Sequence, residues 1–212
     1  MSDTVVAKIL AHAEAGADLR RSFFSRQAPL VANAALRMAV TLARGNKLLF
    51  CGNGGSAADA QHLAAEFVNR FIMDRRPLSA IALSTDSSIL TAIGNDFGFD
   101  LVFSKQVQAL GNPGDMLIAL STSGNSKNVL KAVETARGRG LAILGLTGET
   151  GGSMAGLCDL LIAVDNTHTP LIQEIHIAVG HLLCGLTDYY LFENAAALAP
   201  YLNGAPLPGI AL

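Results

Sequence analysis

The 212-residue sequence has no tryptophan, only three cysteines and a charged fraction of only 15%. The cysteines, Cys51, Cys158 and Cys184, are odd in number, far apart and without CxxC spacing, which argues against a disulfide framework and favours small core residues in a reducing compartment. The formal net charge of −2 leaves no basic excess, so charge does not support nucleic acid as a partner.

Long apolar runs are also missing, and none approaches the roughly 20 residues needed to cross a bilayer. The N-terminal segment carries Asp3 and Glu14 and lacks the uninterrupted apolar stretch of a signal peptide. We therefore expect a cytoplasmic protein with no membrane partner. Half of the residues are apolar, and this balance favours a sizeable core with an extensive subunit interface, so we expect an oligomer.

Short apolar runs follow one another after residue 45, each nearly continuous, as in strands buried on both faces. They cover 47–51, 78–84, 115–121, 141–147 and 159–165. Helical patterns lie between and after them, at roughly 56–70, 86–93, 98–110, 126–138, 151–157 and 170–192. Repeated βα units predict the α/β class, with a doubly wound five-stranded parallel sheet flanked by helices. Ligands of such sheets bind at the carboxyl ends of the strands.

The chain reads as a single domain over 1–212, with an α/β core at 45–192 that ends in a long C-terminal helix. Residues 3–44 have apolar positions near helical spacing and predict two helices, with Pro29 near the start of the second. Residues 193–212 contain Pro200, Pro206 and Pro208, which predict a surface-packed or frayed extension rather than a regular helix.

Two loops at the predicted carboxyl edge have the composition of phosphate sites. CGNGGSAAD, starting at Cys51, joins a strand to a helix, where glycines bring backbone N–H groups close to an anion. It matches neither GxGxxG nor GxxxxGK[ST], so a nucleotide site is not indicated. STSGNSKN, at 121–128, supplies four hydroxyls, with Ser126 as the candidate N-cap. Either loop alone is explained by helix capping, but the two together favour a phosphate or phosphosugar.

His62 and Glu66 are four residues apart on the helix after the glycine loop and therefore share one face. Such a pair suits a divalent metal, or a carboxylate base beside an imidazole, and is also common on exposed surfaces. A second helix carries Gln173 and His181 about 80° apart on the helical wheel, so they could line one cleft. The same helical-wheel geometry does not exclude Glu174 from that cleft.

Four motifs, CGNGGSAADAQHLAAEF, TAIGNDFGF, STSGNSKNVLKA and IQEIHIAVGHLL, resemble in order those of the phosphoheptose isomerases of the sugar isomerase (SIS) domain superfamily. The resemblance covers about residues 5–190. It implies an aldose–ketose isomerase that converts sedoheptulose 7-phosphate to D-glycero-D-manno-heptose 7-phosphate through an enediolate. This reaction is the first step of activated-heptose biosynthesis for lipopolysaccharide. It also implies a cytoplasmic homotetramer with active sites between subunits.

The resemblance further implies residue roles. Glu66 would be the base and His181 the acid. The zinc ligands would be His62, Glu66, Gln173 and His181, with one zinc per subunit. The substrate-binding residues would be Asn53, Gly54, Gly55, Ser56, Glu66, Asn95, Asp96, Ser121, Thr122, Ser123, Ser126 and Gln173. Two departures stand out: Leu171 replaces the arginine of many relatives, and the segment after Phe192 is longer than usual.

Three rival hypotheses remain. One is a non-enzymatic SIS tetramer that binds the replication initiator, which NRF at 69–71 resembles although Glu66 and His181 are both present. Another is a different phosphosugar isomerase, such as arabinose 5-phosphate isomerase, whose members usually carry appended domains. A dinucleotide-dependent oxidoreductase fits less well, because the glycine fingerprint fails.

Overall fold

The computed structural model describes residues 3–208 as a parallel sheet with helices on both faces. The helices are α1 Asp3–Ala43, α2 Gly55–Val68, α3 Ser87–Phe97, α4 Ser104–Leu110, α5 Lys127–Gly138, α6 Thr169–Asp188 and α7 Ala199–Leu202. The strands are β1 Leu48–Cys51, β2 Ala80–Ala82, β3 Met116–Ser121, β4 Ala142–Thr147 and β5 Leu160–Ala163. Short 3₁₀ turns cover Phe99–Leu101, Gly152–Met154 and Ala195–Leu198, and a π-helical turn covers Tyr189–Glu193.

The sheet has five parallel strands in the order β2-β1-β3-β4-β5, which confirms the predicted doubly wound α/β class. β1 lies between β2 and β3, with Leu48 opposite both Ala80 and Met116. The three central strands are buried along almost their whole length, as their continuous apolar runs predict. Edge strand β2 is shorter than the predicted run at 78–84, and Ile81 at its centre is exposed.

Two apolar layers sandwich the sheet. One lies under α1, α2 and α6 and contains Phe50, Phe67 and Ile175, and the other lies under α4 and α5 and contains Leu117 and Val133. Cys51 and Cys184 are buried within these layers, and Cys158 packs against the second. The three cysteines are free, and burial raises the pKa of the Cys51 thiol to about 12 and that of Cys158 to about 11.

The N-terminal region is one unbroken helix, so the prediction of two helices over 3–44 is wrong. α1 runs for 41 residues with Pro29 inside it. A proline in a helix interior costs about 3 kcal/mol. Phe23 and Val31 are buried on either side of Pro29, and burial of each side chain contributes about 1.5–3 kcal/mol. Packing of the helix on both sides of the proline offsets the lost backbone hydrogen bond.

The C-terminal segment packs on the surface of α1. Leu198 is buried beside Leu36 and Val40 of that helix. Arg44 donates a hydrogen bond to the carbonyl of Tyr201, and Arg37 donates one to the carbonyl of Pro208. Residues 209–212 of the predicted extension lie outside the described residues. No helix within residues 3–208 is both long and apolar enough to span a membrane.

Candidate active site

The two predicted phosphate loops meet at the carboxyl edge of the sheet, after β1 and β3. The side chains of Asn53 and Asn128 pair through two amide hydrogen bonds of 2.8 and 2.9 Å, which join the loop before α2 to the first turn of α5. Asn128 also accepts a hydrogen bond from the backbone N–H of Val129. The sequence analysis missed Asn128, although it lies in the STSGNSKN motif itself.

Between these loops lies a cavity of about 290 Å³. Its lining residues are Asn53, Gly54, Gly55, Ser56, Leu120, Ser121, Thr122, Ser126, Thr169 and Gln173. The Oγ atoms of Ser121 and Ser126 are 3.0 Å apart, so two hydroxyls converge at its base. Thr169, at the first position of α6, was not predicted. Hydroxyls and glycine N–H groups beside helix N-termini suit a phosphate dianion.

A tight interlock holds the second loop against the loop that follows β4. Gly124 has φ +65°, and a Cβ atom there would collide with the carbonyl oxygen of Gly151. A Cβ at Gly152 would lie 2.5 Å from the carbonyl oxygen of Ser123. Asn125 accepts a hydrogen bond of 2.9 Å from the backbone N–H of Ser153. The predicted site residue Ser123 lines a neighbouring cavity of about 170 Å³ instead of the first one.

A second group of site residues lies further along α2 and α6. The Nε2 atoms of His62 and His181 are 2.9 Å apart, and Oε1 of Glu66 is 3.4 Å from Nε2 of His62. Phe71 stacks on the His181 imidazole with ring centroids 5.5 Å apart. Glu66 has a side chain only 21% exposed, whereas that of His62 is 48% exposed. His181 and Phe71 also line an apolar cavity of about 430 Å³.

Helices α2 and α6 run side by side in the same direction, which separates Gln173 from His181. Gln173 lies over Gly55, where a Cβ atom would be 2.6 Å from its Nε2. Further along, Gly180 lets Leu63 of α2 pack directly on the α6 backbone. Eight residues of helix span about 12 Å. Within one chain, Gln173 therefore lines the hydroxyl-rich cavity, and His181 lines the apolar one.

The donor set of His62, Glu66 and His181 fits zinc in its chemistry, because imidazole nitrogens and carboxylate oxygens are usual zinc ligands. The close approach of two imidazole nitrogens also favours a shared cation. Nevertheless, no group of three or more His, Cys, Asp or Glu side chains in the described chain is arranged to hold a metal as it stands. The contacts of Glu66 and His181 both run to His62, rather than to a common point.

Asn95 and Asp96 lie apart from both cavities on α3. Their side chains are exposed and bond to each other, with 2.8 Å between Asn95 Nδ2 and Asp96 Oδ1. Every residue of α3 is at least partly exposed, and Phe97 is 56% exposed. Glu174 pairs with His12 of α1 at 2.9 Å.

His176 is a buried residue that the sequence analysis did not assign to the site. Its Nε2 lies 3.0 Å from the carbonyl oxygen of Thr147, at the carboxyl end of β4. A carbonyl only accepts, so Nε2 carries the proton and donates it. Burial lowers the His176 pKa to about 4, although the bond to Thr147 opposes the shift. The imidazole is therefore neutral at pH 7 and fastens α6 to the sheet edge that carries the loops.

Comparison with known proteins identifies the family. A family model described as SIS domain matches residues 11–148. The phosphoheptose isomerase of Nitratidesulfovibrio vulgaris strain Hildenborough is 66% identical over 93% of this chain and 95% of its own length. That of Desulfovibrio desulfuricans is 64% identical over 96% and 97%. The chain belongs to the phosphoheptose isomerase family of SIS-domain proteins.

Solved structures of this family have the same fold. The phosphoheptose isomerase from Neisseria gonorrhoeae superposes with a TM-score of 0.83 at 44% identity, covering 87% of this chain and 98% of that one. The enzyme from Francisella tularensis superposes with a TM-score of 0.82 at 37% identity, covering 89% and 99%.

Leu171, a departure noted in the sequence, is buried against Gly16 of α1, where an apolar side chain suits the packing.

Proposed function

We propose that this member of the family is an aldose–ketose isomerase that converts sedoheptulose 7-phosphate to D-glycero-D-manno-heptose 7-phosphate. The observation that carries the proposal is the 66% identity, over nearly the whole chain, to a protein named phosphoheptose isomerase. The contacts of His62 with Glu66 and His181 support it, since isomerisation needs a carboxylate and a proton-shuttling imidazole.

The reaction moves one proton between neighbouring carbons. Glu66 removes a proton from C1 of the ketose, the electron pair forms the C1–C2 double bond of a cis-enediolate, and the same carboxyl group returns a proton to C2. His181 donates a proton to the C2 oxygen and accepts one from the C1 oxygen, so no proton is gained or lost overall. An imidazole suits this shuttle because its ordinary pKa lies close to neutral pH.

The hydroxyl-lined cavity would bind the phosphate at the far end of the substrate. Ser121, Thr122 and Ser126 would donate hydrogen bonds, and Gly54 and Gly55 line the same cavity. Hydrogen bonds to charged groups contribute about 1.5–3 kcal/mol each. Binding at this remote end would orient the reacting carbons.

Zinc is part of the proposal: His62, Glu66 and His181 of one subunit would hold it, and Gln173, which lies about 12 Å from His181 along α6, would be supplied by another subunit. A bound zinc ion would polarise the substrate carbonyl and stabilise negative charge on the enediolate. The support is the chemistry of the donor set and the 2.9 Å approach of the two imidazoles.

A homotetramer with active sites between subunits also belongs to the proposal. Glu66 lies eleven residues beyond Gly55 on α2, a rise of about 16 Å, which is farther than one heptose 7-phosphate reaches. A site shared between subunits would bring the phosphate cavity of one copy to the carboxylate of another. Exposed apolar side chains support such contacts, among them Ile9, Leu10, Ile72 and Phe97.

We further propose a cytoplasmic enzyme at the first step of activated-heptose synthesis for lipopolysaccharide. The free cysteines Cys51, Cys158 and Cys184 support a reducing compartment. The comparisons do not favour the rival hypotheses, because the two relatives described above are phosphoheptose isomerases matched over most of their length.

The deciding experiment is turnover of sedoheptulose 7-phosphate by the purified chain, with zinc added or chelated and the heptose 7-phosphate product followed directly. We expect Glu66→Gln to lower kcat by at least about a hundredfold, since it removes the base. Glu134→Gln, an exposed glutamate on α5, is the matched control and should retain wild-type activity.

Absence of product from an intact oligomer under every metal condition would overturn the isomerase assignment. A pull-down with the replication initiator would then test the binding-module hypothesis. Equal activity of wild type and Glu66→Gln would retain the reaction but remove Glu66 as its base.

A further inference from the structure

A buried arginine joins the two helices that carry the proposed catalytic residues. The side chain of Arg75, in the segment between α2 and β2, is only 3% exposed. Its Nη1 donates to the carbonyls of Phe67 and Asn69 at 2.8 and 3.0 Å. Its Nη2 donates to the carbonyl of Glu66 at 3.0 Å. One guanidinium therefore binds the last turn of α2, including the backbone of the proposed base.

The same guanidinium reaches α6 through a buried ion pair. Its Nε donates to Oδ1 of Asp188 at 2.9 Å, and Asp188 is the last residue of α6, with a side chain only 5% exposed. Burial raises the pKa of Asp188, while the hydrogen bond and charge of Arg75 oppose that shift. Oδ2 of Asp188 has no hydrogen-bond partner among residues 3–208, so Arg75 is the main support of this carboxylate.

Arg75 also supplies the positive charge and the N–H donors that the C-terminal end of α2 lacks. The last turn of α2 contains no basic residue, and the residue that follows it, Asn69, has a non-helical backbone with φ −89° and ψ −97°. Carbonyls at a helix C-terminus need donors, and the partial negative charge there favours a cation. A guanidinium provides five N–H donors in a rigid plane, which an ammonium group cannot match.

These contacts bear on the separation between the proposed base and acid. Glu66 is held through its own carbonyl by Arg75, and Asp188 lies two helical turns after His181 on α6. A shift of the last turn of α2 relative to α6 would change the 2.9 Å approach of His62 to His181. Displacements of about 1 Å at reacting groups can lower rates about a hundredfold.

We propose that Arg75, with Asp188 as its partner, is a positioning residue that fixes His62 and Glu66 against His181. This inference rests on the proposed function for its kinetic test. Arg75 does not touch the phosphate cavity, so its effect falls on the reacting end of the substrate and not on phosphate binding.

The test compares Arg75→Lys and Asp188→Asn with a matched control at the opposite edge of the sheet. Lys47 and Asp115 form another partly buried ion pair, with 2.6 Å between Nζ and Oδ2, beside the amino ends of β1 and β3. We expect Lys47→Met to lower the unfolding midpoint without changing kcat. Arg75→Lys and Asp188→Asn should lower kcat by at least about tenfold and leave KM within about twofold.

Two further readouts separate positioning from general destabilisation. Calorimetric binding of inorganic phosphate should be unchanged in all three variants, because the hydroxyl-lined cavity is intact. The NMR signals of the His62 and His181 rings should move in Arg75→Lys and stay in place in Lys47→Met. This signature requires no substrate, so it tests the inference even if the wild type does not turn over sedoheptulose 7-phosphate.

The inference is overturned if the ring signals of His62 and His181 are unchanged in both Arg75→Lys and Asp188→Asn. It is equally overturned if kcat falls as much in Lys47→Met as in Arg75→Lys, since the effect would then follow stability alone. Failure of the proposed function is a separate outcome, visible as absent turnover in the wild type.

Discussion

Nε2 of His62 and Nε2 of His181 lie 2.9 Å apart across the groove between α2 and α6. Two imidazole nitrogens this close share a single proton or a single cation, because two protonated nitrogens would repel and two bare lone pairs would not attract. In the absence of a cation, one of the two Nε2 atoms donates a hydrogen bond to the other, so the tautomers of His62 and His181 depend on each other.

Replacing His181 by glutamine tests its proposed roles as the acid and as a zinc ligand. We expect His181→Gln to lower kcat by at least about a hundredfold, since the proton shuttle is lost. Zinc affinity, measured by competition with a chromophoric chelator, should fall at least about tenfold if the imidazole is a ligand. The control is His168→Gln, an exposed residue before α6, which should change neither quantity. Unchanged zinc affinity in His181→Gln would contradict the ligand role.

Gly55 allows Gln173 to lie over the start of α2. In Gly55→Ala, the new Cβ would lie 2.6 Å from Gln173 Nε2, so the glutamine side chain must swing away from the cavity. We expect kcat/KM to fall about tenfold, with the free energy of unfolding changed by less than about 1 kcal/mol, because only a flexible chain end has to move. Gly138→Ala meets nothing within 4 Å and should retain full activity. An active Gly55→Ala would mean that Gln173 has no part in the reaction.

The buried His176 predicts a pH dependence of stability. Its folded pKa of about 4 lies below the unfolded value near 6.5. Between these two pH values, the unfolded chain therefore binds a proton that the native state does not bind. The stabilisation is complete above about pH 6.5 and is lost as the pH falls towards 4. Between pH 7 and pH 5 this group should reduce the free energy of unfolding by about 2 kcal/mol.

Urea unfolding of the wild type and of His176→Gln at pH 7 and pH 5 isolates that contribution. Glutamine can donate to the Thr147 carbonyl and does not titrate, so the variant should lose less stability over this interval than the wild type. Equal losses in both proteins would show that His176 does not stay neutral in the fold.

The C-terminal segment predicts an effect on stability without an effect on catalysis. Leu198 is 2% exposed and packs on α1, so Leu198→Ala should lower the free energy of unfolding by about 2 kcal/mol, measured by urea titration. Leu202, at 43% exposed, is the matched control, and Leu202→Ala should cost less than about 0.5 kcal/mol. A kcat lowered in Leu198→Ala would instead connect the segment to the active site.

The sequence was sufficient to predict the sheet, because strands buried on both faces must be apolar at nearly every position, as 116–121 and 142–147 are. It failed at Pro29, where local propensity predicts a helix boundary but packing against the sheet and α6 continues the helix. The long segment at 98–110 is a 3₁₀ turn followed by the short helix α4, a distinction that periodicity does not make.

Most of the cavity was predicted for the same reason: loops after parallel strands share one edge, and their glycines and hydroxyls are visible in the sequence. Thr169 was not found because only the fold brings the start of α6 to the cavity, and His176 and Arg75 were not found because their partners are distant in the chain. Arg75 lies in a segment without helical or strand periodicity, and only the fold brings it to Asp188. The separation of Gln173 from His181 also needed the fold, because a helical wheel gives the angle between two residues and not their distance along the axis.

The interlock between Gly124 and the loop at Gly151 and Gly152 has a consequence for substrate choice. The backbones at these positions are packed too closely to admit a Cβ atom, so each loop supports the other beside the cavity proposed to bind the phosphate. An anchor of this kind would fix the position of the phosphate, and the position of the carbonyl would then depend on the length of the sugar. If the cavity binds the phosphate as proposed, the sugar would be selected by the number of carbons between its phosphate and its carbonyl, and the carbonyl of a shorter ketose phosphate would not reach the proton-transferring groups.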